Sequence, residues 1–258
     1  MAPPPWLSFL ESIADRADEI ALRFFRRDGL RVEEKPDLSP VTEADRAIEE
    51  AARALVRQRH PELGLLGEEL GEAPGSSGAA RLIIDPIDGT RNFVRGIPVF
   101  GTLLAVEERG EIVAAVASAP ALRTRWRAAL GHGAFEGSHR LRVSGIRDLG
   151  RALVFHGSMG QGEAPPPPAV RALIERADRT RGFGDFYQHV LVAQGAGELA
   201  IDIGVKPWDV AALLLIVEEA GGRATTLSGE RRIDGGSLVT SNKAVHEAAL
   251  VALREETA

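Results

Sequence analysis

Between Val99 and Ala129 the chain runs through three apolar, β-branched segments, broken at Glu107–Glu111 and again at Pro120–Arg123. Runs of that length between turn-forming breaks predict an antiparallel meander. After Gly145 the rhythm changes. Strand-like ALVFH (Ala152–His156) leads into a Gly/Pro-rich connector from Gly157 to Pro168 and a helix to about Arg179. A helix near Phe186–Gln194, a strand at Glu198–Ile203 and a helix over Pro207–Ala220 follow. Strands alternating with helices predict a sheet covered by helices. The expected fold class is therefore α/β, with an α+β half over residues 1–145 and an α/β half over residues 146–258.

The first half opens with Leu7, Leu10, Ala14, Ala17, Ala21 and Phe24 at helical spacing, which predicts an amphipathic helix from about Trp6 to Arg27. Glu11, Asp15, Asp18 and Glu19 interrupt any apolar run there, so this start reads as part of the folded body rather than as a secretory signal. A short strand near Arg31–Glu34, a loop from Lys35 to Asp45, a second helix ending near His60 and a buried strand at Leu63–Leu66 come next. Gly71–Ala80, rich in glycine and serine, is expected to be a mobile surface loop. RLIID (Arg81–Asp85) is the following strand. The proline run Pro165–Pro168 suits the start of a helix.

Composition narrows the function classes. With no cysteine, the chain has no disulfide, thiolate metal site or cysteine nucleophile, which fits a reducing cytoplasm. Its net charge is −6, and no cluster of basic residues marks a nucleic-acid footprint. The longest apolar run, Val210–Val217, is too short to span a bilayer. The six histidines are scattered without ligand spacing, and only His189, four residues after Asp185 on a predicted helix, is placed near a candidate site. No G-x-S-x-G elbow and no P-loop is present.

The stretch richest in chemistry is IIDPIDGTRNF, Ile83 to Phe93. A buried strand is expected to end at Asp85, with Pro86 stopping the ladder and Gly89–Thr90 opening a helix. Asp85 and Asp88 could both point at one cation, with the Ile87 carbonyl between them as a third oxygen ligand. Carboxylates, carbonyls and water suit a hard cation such as magnesium or manganese. The Gly89 and Thr90 amides at a helix start suit a phosphate. Further acids occur in similar settings. Glu68 follows an apolar strand in GEE, and Asp209 lies in the first turn of the apolar helix of KPWDVAALLLIVEEAGG. Each also has a structural reading: a turn at Asp85–Asp88, a solvated turn at Glu68, a dipole-compensating acid at Asp209. Thr42-x-x-Asp45 likewise reads as a capping box.

GEE, DPIDGT and WDVAA, in this order and spacing, resemble the inositol monophosphatase superfamily of lithium-sensitive, magnesium-dependent phosphatases, and the resemblance runs from Lys35 to the C-terminal AGG and SN segments. It implies a layered αβαβα fold with two or three magnesium ions, or manganese, at the junction of the halves. Glu68, Asp85, the Ile87 carbonyl, Asp88 and Asp209 would hold the metals. Glu68 and Thr90 would orient and deprotonate the attacking water, assisted by Asp45, while the Gly89 and Thr90 amides would hold the phosphate. A homodimer is also implied.

Within the superfamily, NFVRGIPVFGTLLAV (Asn92–Val106), FGDFYQHVLVAQG (Phe183–Gly195) and GVKPWD (Gly204–Asp209) look like the histidinol-phosphate phosphatase branch. That substrate carries an ammonium and an imidazole, so its pocket should offer carboxylates and an aromatic wall. Asp185 and Asp202 fall where the family places substrate-facing residues. Glutamate is the commoner family residue at the second position, and the shorter Asp202 would reach about one methylene less far. As structural alternatives, Asp185 could be an N-cap for the Phe186 helix and Asp202 a strand-end acid. Two other functions remain open: phosphatase activity on inositol or sugar phosphates, and a regulatory or binding role on the same fold.

Overall fold

The computed structural model describes residues 5–36, 38–76, 78–158 and 166–255. Along the chain these form α1 (Pro5–Phe24), β1 (Val32–Glu34), β2 (Pro40–Thr42), α2 (Glu43–Arg59), β3 (Gly64–Gly67), β4 (Gly71–Ala73), β5 (Ala80–Asp88) and α3 (Thr90–Val94). The meander follows as β6 (Gly101–Glu108), β7 (Glu111–Ala119) and β8 (Thr124–Ala129), then β9 (Gly133–Glu136) and β10 (His139–Arg140). The remainder is β11 (Leu153–His156), α4 (Pro168–Glu175), β12 (Arg179–Gly182), α5 (Asp185–Ala193), β13 (Leu199–Ile203), α6 (Pro207–Glu219), β14 (Arg223–Thr225), β15 (Ser237–Ser241) and α7 (His246–Glu255).

Period-two alternation sorts the first sheet's side chains onto two faces. Its eight strands run in the order β10-β9-β8-β7-β6-β5-β3-β4. Leu82, Ile84, Leu104, Val106 and Val116 pack with Leu10, Ile13 and Ala17 of α1 and Ile48 and Ala52 of α2. The intervening residues Ile83, Leu103, Ala105 and Ala117 face the opposite way, into a core with Phe186 and Val190 of α5 and Leu213 and Ile216 of α6. Ala200 of β13 and Leu238 of β15 close the same core from the second sheet, whose order is β12-β11-β13-β15-β14. The other face of that sheet buries Val154, Leu199, Ile201 and Val239 against α4 and α7. The result is the expected αβαβα layering. It explains why α6 is apolar on all sides from Val210 to Val217: a helix between two sheets has no solvent face.

Four local expectations are corrected. The loop predicted from Lys35 to Asp45 contains β2, which pairs antiparallel with β1 (Val32↔Thr42). The loop predicted over Gly71–Ala80 begins as β4, paired with the otherwise open edge of β3 (Leu65↔Ala73), and Ser77 lies outside the described residues. The helix expected to reach Arg179 ends at Glu175, and the exposed RTRG segment forms β12, parallel to β11. Such short, polar edge strands carry no apolar alternation, so only a neighbour's hydrogen bonds reveal them. Of the connector Gly157–Pro168, residues 159–165, including Pro165, lie outside the described residues. The fourth correction concerns Pro86 and shapes the site.

Candidate active site

Strand β5 does not stop at Pro86 but continues to Asp88, with a register shift against β6 between Asp85 and Asp88. In a regular strand, residues three apart project from opposite faces. The irregularity re-aims the strand, and the Asp85 and Asp88 carboxylates line one cleft. Proline is tolerated at such a bulge because no ladder N–H is needed there. The Pro86 carbonyl is still satisfied, accepting the Thr102 hydroxyl at 2.8 Å. Gly89 then takes a left-handed φ of +81°, and an added Cβ would sit 3.1 Å from the Val99 carbonyl. The turn therefore needs glycine to pass from strand to α3. Thr90, the first residue of α3, has its hydroxyl 2.8 Å from the Ile87 carbonyl and 3.3 Å from Asp45 Oδ1.

Asp209 arrives from the other half of the chain. Pro207 begins α6, and the Lys206 amide donates to Asp209 Oδ2 at 2.7 Å, orienting the acid at the helix start. One carboxylate oxygen from each of Asp85, Asp88 and Asp209 lies within 4.8 Å of the others. Glu68 lines the same cleft from the turn after β3. That turn is held by Glu49 of α2, whose carboxylate accepts the amides of Glu69 at 2.8 Å and Leu70 at 3.2 Å. A Cβ on Gly67 would lie 2.1 Å from Glu49 Oε1, so the approach requires glycine. Lys35 closes this side, donating to Glu68 at 2.8 Å and Glu69 at 2.6 Å.

The cluster is charged against its own interest. Burial pushes the Asp85 carboxyl well above the usual range, and the negative charges of Glu68, Asp88 and Asp209 push the same way. Asp88 is raised by burial and then by Asp185 and Asp209, although its Oδ2 accepts the Phe186 amide at the start of α5. Burial raises Asp209 to about 7 and Asp45 to about 6. Glu69 rises to about 7, again chiefly through burial. Lys35 moves up as well: burial pulls it down, but its bonds to Glu68 and Glu69 outweigh that. Asp85 Oδ1 is buried with no hydrogen-bond partner. An orphaned buried oxygen among three like-charged acids is the donor set of a hard cation, which would satisfy it.

The same cleft, which has a volume of about 540 Å³, is also lined by Asp185, Asp202 and Phe183. The structural alternative for Asp185, an N-cap, does not hold. Gly184 takes that place, and Asp185 is the first residue of α5 with φ +52°. Its Oδ2 accepts from the Asn92 amide nitrogen at 3.2 Å. Asp202 accepts from His189 Nε2 at 3.0 Å. Phe183 is 42% exposed, its ring propped 5.4 Å from Tyr187 and 5.9 Å from Phe155.

Glu68, Asp85, Ile87, Asp88, Gly89, Thr90, Asp185, Asp202 and Asp209 thus all line one cleft, although they come from sequence positions up to 141 apart (209 − 68 = 141). Asp45 does not reach it. It is fully buried behind Thr90, and its Oδ2 accepts both the amide and hydroxyl of Thr42 in the capping box foreseen. Sequence reasoning missed Lys35, Glu49, Asn92 and Phe183 as parts of this neighbourhood. Asn92 and Phe183 had a local signal, the first in the turn of helix that follows the DPIDGT motif and the second opening the FGDFYQHVLVAQG segment.

The sequence pattern of the inositol monophosphatase family matches residues 3–258. The chain is 44% identical over 249 residues to a histidinol-phosphatase of Mycobacterium tuberculosis, covering 94% of this chain and 95% of that protein. It is 40% identical to a histidinol-phosphatase of Chlorobaculum parvum, covering 93% of each. In three dimensions it resembles the extragenic suppressor protein suhB from Bartonella henselae, with a TM-score of 0.88 at 29% identity, covering 96% of this chain and 98% of that one.

Proposed function

The chain belongs to the inositol monophosphatase family, and within it we propose that this protein is a metal-dependent phosphomonoesterase that hydrolyses L-histidinol phosphate to L-histidinol and inorganic phosphate. The observation that carries the chemistry is the triad of Asp85 and Asp88, both buried, and Asp209, partly buried, with its unpartnered Asp85 oxygen. The substrate reading rests on the 40–44% identity to histidinol-phosphatases over nearly the whole chain. The rest of the lining supports it, because Asp185, Asp202 and the exposed ring of Phe183 are suited to an ammonium and a flat imidazole.

In this reading Glu68, Asp85, the Ile87 carbonyl, Asp88 and Asp209 hold two or three magnesium ions, with manganese as the alternative. Such ions, when bound, supply positive charge to the ester dianion and make water more acidic. The chain's own groups do the positioning. Thr90's hydroxyl hydrogen is directed at the Ile87 carbonyl and Asp45, which leaves its oxygen to accept a hydrogen bond from water. Glu68, on the facing turn, takes that water's proton as its oxygen bonds to phosphorus. The ester P–O bond breaks and the departing alkoxide takes up a proton to give the alcohol. The amides of Gly89 and Thr90 hold the phosphate oxygens. Asp45 holds Thr90 from behind.

Phosphate release from L-histidinol phosphate and from inositol 1-phosphate, each with magnesium and with chelator, tests both levels. Magnesium-dependent preference for the first substrate is expected. Preference for the second would keep the metal chemistry and move the substrate to the family's inositol branch. Activity on neither would favour a regulatory role on the same fold. The family resemblance also supports a homodimer, and the absence of cysteine fits a reducing cytoplasm; light scattering at a single protomer mass would refute the dimer.

A further inference from the structure

His189 is an unusual residue for the middle of a protein. It is 1% exposed, yet both of its ring nitrogens are engaged. Nδ1 lies 2.7 Å from the hydroxyl of Thr240, itself completely buried on β15, and Nε2 lies 3.0 Å from Asp202 Oδ2. A carboxylate only accepts, so Nε2 carries the hydrogen in this contact. In the neutral ring Nδ1 is then an acceptor, and Thr240 donates to it. Three elements, β15, α5 and β13, are thereby tied in a chain that ends on the carboxylate. That chain uses only Oδ2. Oδ1 points toward Gly157, where an added Cβ would lie 2.7 Å from it, and both residues line the cleft.

A free aspartate on a strand end would sample several rotamers, and the shorter acid noted in the sequence leaves less reach to spare. We propose that His189 is a positioning residue that holds Asp202 in the one rotamer presenting Oδ1 to the substrate's cationic organic part, with Thr240 fixing the ring. The substrate identity in this statement rests on the histidinol-phosphate reading above. His189 lines the cleft but is only 1% exposed, and in this proposal it acts through Asp202, as outer-sphere partners do for the groups they orient.

The experiment is a double-mutant cycle read with two substrates, L-histidinol phosphate and glycerol 2-phosphate, which has a phosphate ester but no cationic group. His189→Leu is expected to raise KM for L-histidinol phosphate roughly tenfold, the scale of one lost hydrogen bond to a charged group, against at most about a twofold change for glycerol 2-phosphate and for either kcat. His189→Gln, whose amide can still donate to Asp202, should recover most of the loss. In an Asp202→Ala background, His189→Leu should add nothing further. If His189→Leu does not fold, Thr240→Val, nearly isosteric, carries the same test with a smaller rise of roughly threefold, since it frees the ring rather than removing it.

Equal losses on both substrates, or losses that add in the double mutant, would overturn the positioning role and leave His189 a core residue. A wild-type enzyme with no preference between the two esters would instead sink the substrate reading on which the proposal stands. The two failures are therefore told apart before any variant is made.

Discussion

Two buried acids, Glu49 of α2 and Asp85 of β5, have opposite surroundings. Glu49 is wholly inaccessible but fully answered: Arg53 donates to Oε1 through Nε at 3.0 Å and Nη2 at 2.7 Å, and the Glu69 and Leu70 amides complete its shell. Asp85 is just as buried, at 2% exposure, but its neighbours are other acids and one of its oxygens has no partner. Burying an uncompensated carboxylate is costly, and a chain that supplies an arginine for one such acid has withheld it from the other. The structural acid brings its own cation. In the proposed reading, the site acids leave room for one from outside.

The sharpest way to break this contrast is to neutralise each acid. Asp85→Asn is expected to lower phosphatase turnover at least roughly a thousandfold, on the scale of losing a key electrostatic group. In chelator the same variant should melt no lower than wild type, because the substitution removes repulsion rather than a bond. Turnover near wild type would take Asp85 out of the metal site. Glu49→Gln should do the reverse in stability, costing about 3 kcal/mol in urea unfolding, the lower end for breaking a buried pair since Arg53 reaches some solvent. Because Glu49 also holds the Glu68 turn, its activity should fall less than that of Asp85→Asn. A greater fall would reverse the assignment of the two acids.

A gentler probe is pH. Asp45 and Asp209 titrate higher in the folded chain, at about 6 and about 7, than in the unfolded one. Below the ordinary carboxylate range both states are protonated and no penalty arises. As pH rises the unfolded chain releases these protons first, so the contribution of these two acids should lower metal-free stability from about pH 4 to about pH 7, and Asp85 and Asp88, raised further, push the same way. Thermal melts in chelator should show a decline of a few degrees over that window, and saturating magnesium should flatten or reverse it. Identical pH profiles with and without metal would mean that no cation relieves the cluster. Smallest of all is Lys35→Met, which removes the only ammonium on Glu68 and Glu69 among the described contacts. It should destabilise the chelated protein by about 1 kcal/mol, the upper end for a surface pair since the Lys35 and Glu68 side chains are only 19% and 21% exposed, and by less with magnesium bound. An equal loss in both conditions would separate Lys35 from the cation's place.

Much of this was legible beforehand for definite reasons. The capping box at Thr42 and Asp45, the Pro207 start of α6 and the meander from Val99 are local patterns, set by interactions within a few residues. The DPIDGT and WDVAA acids, each readable alone as a turn or helix-start residue, stood out because several carboxylates recur in similar settings along one chain. The edge strands β4 and β12 did not, because their pairing comes from neighbours rather than from their own side chains.

The sequence by itself determined which acids the chain carries, that the halves follow different rhythms, and that α6 has no polar face. Only the tertiary structure decided how those acids meet. The bulge at Pro86 turns Asp85 and Asp88 to one cleft, and the Phe186 amide reaches Asp88 from 98 residues away. Glu49 sets the Glu68 turn across 20 residues, and Thr240 sets Asp202 through His189. Periodicity and capping act over a turn of helix or a pair of strand residues. Where a carboxylate points, and whether a counter-charge waits for it, depends on which distant segments the packed layers bring beside it.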